Sequence, residues 1–175
     1  VGMPNGTAMT IDHVTLKSGT QTRYSGLIGA RQFENPYAGC SAGYNAIIRN
    51  CTIESGIVIG YTGEYSEIGG FAGRMQGTVE NCVNHGTVKG KNYVGGIIAT
   101  IDNAMGACDV LNCSFDGAVI ASGSNAGGIV GGGYSGSSAP NGKKVTVKGC
   151  NASGSVSGDS NIGGILGGDV YVAQS

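Results

Sequence analysis

The chain contains no tryptophan and only three prolines, and aromatic residues make up 6% of its 175 positions. A globule of this length ordinarily packs around larger side chains, so the scarcity of rings argues against a conventional compact core. Charged residues are also sparse at 12%, the net charge is −1, and no Lys/Arg run exceeds the pair Lys143-Lys144. Nucleic-acid binding needs a basic footprint, and the sequence offers none. No stretch of 18 apolar residues is present, so no membrane insertion is expected. The opening VGMPNGTAMT lacks the charged region and apolar run of a secretory leader, and it lacks an initiator Met. The chain stops at VYVAQS, just after a repeat finishes, so the expectation is a segment cut from a longer chain.

What the chain has in abundance is glycine, with 35 residues, and these recur at fixed places in a repeated unit. They lack the every-third period of collagen, which excludes a triple helix. The unit reads VENCVNHGTVKGKNYVGGIIA from Val79, VLNCSFDGAVIASGSNAGGIVG from Val110 and VKGCNASGSVSGDSNIGGILG from Val147. An earlier copy starts IRNCTIESGIVIG at Ile48 and closes with EIGGFAG at Glu67. A worn front copy, IDHVTLKSGTQTRYSGLIG, keeps the length and ending and reads as carrying His13 in the Cys slot. A repeat of about 30 residues made of short β-branched runs and glycines is the mark of a solenoid.

Aligned, the copies form columns. Ile48, Val79, Val110 and Val147 share the first, followed by Asn50, Asn81, Asn112 and Gly149, then Cys51, Cys82, Cys113 and Cys150. Ile57, Val88, Val119 and Val156 form an inward column further on. The last run holds Tyr24, Ile68, Val94, Ala126 and Ile162, then a Gly-Gly pair, with Ser25-Gly26 in its slot in the front copy, then Leu27, Phe71, Ile97, Ile129 and Ile165. Side chains on a strand alternate faces, so Val79 and Cys82, three apart, cannot both point inward from a straight strand. A bend is expected at Asn81, because Asn tolerates left-handed backbone. The Gly-Gly pair is expected to make a second bend, since glycine has no Cβ to clash. The fold class that follows is all-β: a three-sided, right-handed parallel β-helix of about five rungs, roughly 24 Å long. Residues 1–175 read as one domain, with repeats near 11–46, 47–77, 78–109, 110–144 and 145–175.

Four of the six cysteines fall in one column, without the paired CxxC-like spacing of a zinc site, so no metal site is expected there. Stacked cysteines on neighbouring parallel strands also aim poorly for a disulfide. They read as small hydrophobes in a structural ladder with Asn50, Asn81 and Asn112. Cys40 and Cys108 lie between repeats, either free or paired with each other.

Insertions between repeats are expected to gather along one edge, in segments 30–46, 73–78, 100–109 and 132–144, where solenoids often bind ligands. A further insertion, GYTGEYSE, lengthens the copy starting at Ile48. The candidate ligand-binding residues are Tyr37, Tyr44, Tyr61, Tyr65, Asp102, Asp109 and Tyr134. In a polysaccharide-binding or polysaccharide-cleaving β-helix the five tyrosines would form a sugar platform, their rings coplanar on one face with acids beside them. Asp102 and Asp109 share a loop that could offer oxygens to Ca2+, although their spacing matches no known calcium loop, so no cofactor is expected.

Catalytic residues are not expected. The eleven acids are scattered, His13 and His85 have no Ser-His-Asp arrangement around them in sequence, and neither HExxH nor GxxxxGK[ST] occurs. An ice-binding face would need a regular Thr array, and the outward positions near Val88 are irregular. The Asn-x-Ser/Thr triplets at Asn50, Asn112 and Asn151 read as by-products of the repeat.

The endings GGFAG (69–73), GGIIA (95–99), GGIVG (127–131) and GGILG (163–167), with SGLIG (25–29) as a variant, resemble those of the GLUG repeat family. The upstream NC-x(3)-G-x-V pattern at Asn81-Cys82 to Val88 and Asn112-Cys113 to Val119 is also similar to that family. Ala99 departs from the final Gly, and the 60–66 insertion is unusual for it. The resemblance implies a β-helix segment of a bacterial cell-surface or secreted protein, of the kind found in adhesins and IgA-protease stalks. It supplies no catalytic residues. The reading it supports is a non-enzymatic extracellular stalk or adhesin module, whose partners are neighbouring domains and a host glycan or protein receptor. A polysaccharide-binding or polysaccharide-degrading β-helix is the alternative, and a pure spacer is the third reading. If the Val88 column is inward, Val88→Asp buries an unpaired charge and costs several kcal/mol. Loss of the cooperative thermal transition by circular dichroism is the expected result, and wild-type melting would refute the column.

Overall fold

The computed structural model describes residues 9–27, 41–101, 107–133 and 145–168. Those residues are all-β with no helix, and every strand pairing among them is parallel. The architecture is β-solenoid-like, with successive copies of the repeat laid on one another in stacked sheets.

Each repeat contributes more strands than the expected three. Val79 lies near the end of the strand Ala72–Glu80, after which come Val83–Asn84, Thr87–Gly90, Val94–Gly95 and Ile98–Ile101. These fall into four sheets, because Ile98–Ile101 returns to the sheet that the turn started from. That wide sheet has seven strands. The second sheet runs from Thr15–Leu16 to Asn151–Ala152, the third from Gln21–Thr22 to Ser155–Ser157, and the fourth from Ile68–Gly69 to Ser160–Gly163. Two-residue strands suffice here because each is held by a copy of itself on the neighbouring turn.

The corners explain the columns. Asn50, Asn81 and Asn112 have φ near +52° (53°, 52° and 51°), and Gly149 takes the slot at 66°. The bend between the first column and the Cys column is therefore where sequence placed it. Left-handed backbone reverses the alternation once, so Val79 and Cys82 both point inward and both are fully buried. A second left-handed column was not foreseen. It consists of Glu67, Tyr93, Asn125 and Asn161, at φ 60°, 55°, 64° and 54°, each just before the last inward run.

The Gly-Gly pair marks the expected second bend, between the fourth sheet and the wide sheet. None of these glycines is left-handed; they are required by close approach. A Cβ on Gly70 would lie 2.2 Å from Gly96 O, one on Gly96 2.1 Å from Gly128 O, and one on Gly128 2.2 Å from Gly164 O. The first glycine of each pair meets its own turn instead: a Cβ on Gly95 would lie 1.9 Å from Ile98 O.

His13 is not in the Cys slot. Its φ is 54°, and its N–H donates to Arg49 O as Asn50 N–H does to Glu80 O and Asn81 N–H to Leu111 O. Val14 occupies the Cys slot, its carbonyl accepting from Thr52 N–H as Cys51 O accepts from Val83 N–H. The corner requires left-handed backbone, which His tolerates better than a β-branched Val. That steric demand sets the register one residue away from the expected one.

The core is a column of small aliphatics, with Phe71, Phe115 and Met75 as its larger members, all fully buried or nearly so. It opens at the last turn, where Val147, Val156 and Ile165 are only half-buried, and Ile162 and Leu166 are 41% and 40% exposed. The wide sheet is irregular at one level. Strand Ser41–Arg49 slips register against Ala72–Glu80 between Ala42 and Ala46, opposite Met75 to Gly77. At the same level strand Ile98–Ile101 ends with Ile101 paired to Met75, and strand Cys108–Leu111 begins with Cys108 paired to Gly77. Segment 73–78 itself is strand, not loop. The Gly-Gly analysis gives a test. Gly96→Ala drives a Cβ into the next turn's backbone and is expected to cost about 3 kcal/mol or more. Gly86→Ala, whose nearest neighbour would be Ile57 O at 3.0 Å, is expected to cost about 1 kcal/mol. Equal denaturant midpoints would refute the close-approach account.

Candidate functional site

Tyr61 and Tyr65 sit in the one insertion that widens a repeat within its own turn. Gly60 and Gly63, at φ 66° and 69°, turn the chain, and Gly63 N–H donates to Gly60 O at 2.8 Å. The insertion is stitched to its neighbours at both ends. Tyr61 N–H donates to Thr22 O at 3.0 Å, and Lys91 N–H to Tyr65 O at 2.7 Å. Tyr61 is 48% exposed, whereas Tyr65 packs half-buried against the core.

The front copy meets this insertion with Arg23 and Tyr24. The Tyr24 and Tyr65 rings lie 5.0 Å apart at 52°, a tilted aromatic pair. The Arg23 guanidinium stands 5.1 Å from the Tyr65 ring centre and 5.9 Å from that of Tyr24, and its Nη2 donates to the Tyr65 hydroxyl. That hydroxyl raises the Arg23 pKa further, which keeps a fixed cation at the surface. The result is a patch with one exposed ring and one stacked guanidinium, suited to a polar ligand with an apolar face. Of the five tyrosines of the expected platform, Tyr61 and Tyr65 are the two whose side chains are described. Tyr37, Asp102 and Tyr134 lie outside the described residues. Tyr44 falls in the bulge of strand Ser41–Arg49, in the wide sheet and not in the insertion.

Asp109 is not in a loop with Asp102. It lies half-buried in strand Cys108–Leu111, paired with Thr78 on one side and Thr146 on the other. Among the described residues no group of three His, Cys, Asp or Glu side chains is placed to hold a metal.

The ladder cysteines lie inside the stack. Cys51, Cys82, Cys108 and Cys113 are free and buried, and Cys150 is free and half-buried at the open turn. Each ladder thiol faces a carbonyl two residues back, with Cys51 Sγ 3.1 Å from Arg49 O, Cys82 3.2 Å from Glu80 O and Cys113 3.3 Å from Leu111 O. A thiol thus serves as a small hydrophobe that also satisfies a corner carbonyl. Cys108 lies off the ladder, and burial pushes its pKa up to about 12. Hydrogen bonding with Cys150 and Cys82, together with burial, raises the Cys113 thiol. The same Cys113 contact draws Cys150 down to about 6.

Two charged columns flank this corner, and sequence inspection missed both. One runs Lys17, Glu54, His85, Asp116, with Lys17 Nζ 3.0 Å from Glu54 Oε1 and His85 Nδ1 2.7 Å from Asp116 Oδ1. Residue pairing puts Ser153 next after Asp116, so the acid lies between imidazole and hydroxyl, the wrong order for a nucleophilic relay. The other runs Asp12, Arg49, Glu80, Leu111, Lys148. Asp12 accepts from Asn50 Nδ2 at 2.9 Å and Arg49 Nε at 2.8 Å, and these bonds, Asn50 first, hold its carboxyl below the usual range. The spacing of 31 residues from His85 to Asp116 equals the repeat, which was the available signal. Glu67 and Arg74, mostly buried and 2.6 Å apart, form a further ion pair. Asn84 is buried in the core, donating to Gly96 O at 2.6 Å and accepting from Gly86 N–H at 2.8 Å.

No protein-family model, curated protein or solved structure matches the chain.

The thiols provide a direct test. Cys82 and Cys113 are expected to resist alkylation until the chain is denatured, whereas Cys150 labels in the native state with a half-maximal rate near pH 6. The sign for stability follows from the same shift. A thiolate favoured in the folded state stabilises it above the ordinary thiol pKa, and that contribution fades as pH falls through about 6. Mass-spectrometric mapping of the labelled sites checks both. Rapid native labelling of Cys82 would put the ladder on the outside.

Proposed function

We propose that the chain is a non-enzymatic extracellular repeat module, a stalk or adhesin-like segment of a bacterial surface protein. In this reading it is a right-handed β-solenoid of about five turns, the hand favoured by parallel crossover connections. The observation that carries the proposal is the continuity of the parallel ladders. The second and third sheets each run through five strands from the front copy to the last one. Backbone hydrogen bonds then lie along the length of the stack, and each turn is supported only by its neighbours. Such a body holds distance between whatever it joins. The GLUG-like endings support the extracellular assignment.

A binding role is favoured by the Arg23, Tyr24, Tyr61 and Tyr65 patch. Exposed tyrosine beside a fixed guanidinium offers a stacking face and hydrogen-bond donors, the combination with which proteins hold sugars. The glycan reading therefore moves from the inter-repeat loops to the insertion in the second copy. A glycan array run with and without EDTA tests it. The expected result is a specific hit that survives EDTA and falls at least about tenfold in Tyr61→Ala, with melting unchanged. A hit lost in EDTA would place a calcium ion in the site. A blank array with folded protein leaves the spacer reading.

A further inference from the structure

The arginines of the described residues are partnered in two different ways. Arg49 Nε donates to Asp12 Oδ2 at 2.8 Å, and Arg74 Nη2 to Glu67 Oε1 at 2.6 Å. Arg23 has no carboxylate partner among the described residues, and its bond runs to the Tyr65 hydroxyl. Its charge stands over the rings of Tyr24 and Tyr65. Rings and a phenol orient a guanidinium without neutralising it. The side chain is nonetheless exposed. The Tyr65 hydroxyl takes only part of the N–H fork, and it keeps its own proton to donate.

This group lies on the flank of the stack. Thr22 pairs with Ile59 in the third sheet, so Arg23 stands level with Gly60, where the insertion begins. Tyr61 follows, its N–H tied to Thr22 O, and its 48% exposed side chain is near enough to act on the Arg23 charge. An oriented, uncompensated cation and an exposed ring are therefore neighbours.

The two features ask different things of a ligand. The ring takes an apolar face, which a pyranose presents through its C–H groups. The guanidinium fork takes a planar anion that can accept two parallel bonds, and a carboxylate is such an anion. In a uronic or sialic acid the carboxylate is bonded directly to the sugar ring, so one sugar residue can meet both features. A sulfate ester hangs from the ring on a rotatable oxygen link and loses that coupling.

Resting on the glycan-binding reading of this patch, we propose that it selects acidic sugars, with the Arg23 guanidinium holding the sugar carboxylate and Tyr61 stacking on the sugar ring. Arg23 is already held by Tyr24 and Tyr65, so little side-chain freedom is left to lose on binding.

An array carrying uronic-acid and sialic-acid glycans, their methyl esters, and neutral and sulfated counterparts tests the proposal. The expected result is binding to the carboxylates that weakens at least about tenfold in the methyl esters and weakens as salt rises. Arg23→Gln is expected to bind acid and ester alike. If that variant melts below the wild type, the ester comparison on the unaltered chain decides. Hits shared equally by methyl esters or neutral glycans overturn the acidic selectivity and leave the glycan reading of the patch in place. So does a preference for the sulfated members, or carboxylate binding that a folded Arg23→Gln keeps at full strength. A blank array with folded protein overturns both.

Discussion

The separation between one turn and the next governs this molecule. Parallel strands sit about 4.8 Å apart, and at the Gly-Gly corner the carbonyl of one turn stands where the neighbouring Cβ would be. Only glycine satisfies that geometry at Gly70, Gly96 and Gly128. Every other feature adjusts to it. The strands are short because the chain must turn between sheets. The side chains inside are small because the space enclosed by four sheets is narrow, and the polar groups at the corners are satisfied by groups already present there. Cysteine fits that last role, since it fills the volume of a small aliphatic and brings its proton to a corner carbonyl. Asn84 is the counterpart within a turn, tying Gly86 and Gly96 across the interior.

Much of this was legible in the repeated unit. Parity between Val79 and Cys82 required a bend, and Asn81 was the residue able to provide it. The buried columns through Val88 and Ile97 followed from alignment alone. The slot of His13 did not, because a front copy of the right length cannot reveal a shift of one residue; only the demand for left-handed backbone does. The second left-handed column was obscured by Glu67 and Tyr93, which carry no turn signature, although Asn125 and Asn161 hinted at it. The bend at the Gly-Gly pair was legible, but sequence shows where glycine stands and not which atom excludes a Cβ.

The candidate site was the least legible part. Tyr61 and Tyr65 could be singled out as an insertion in an otherwise regular repeat. Their partners Arg23 and Tyr24 come from the front copy, 42 residues from Tyr65 in the case of Arg23, and an alignment of columns does not show which side chains meet an insertion. The loop edge drew attention because its lengths vary, yet its strand Ala72–Glu80 runs unbroken and Asp109 is part of the sheet.

The charged columns bear on how a chain of near-identical units finds one arrangement. Interchangeable copies invite mispairing, in which a turn skips its neighbour and docks on the next one along. Here such a slip would set Asp12 beside Glu80, or Glu54 beside Asp116, and bring like charges together where the native order alternates them. Each surface pair contributes little to stability. At these two points their order favours the native neighbour over the next turn along.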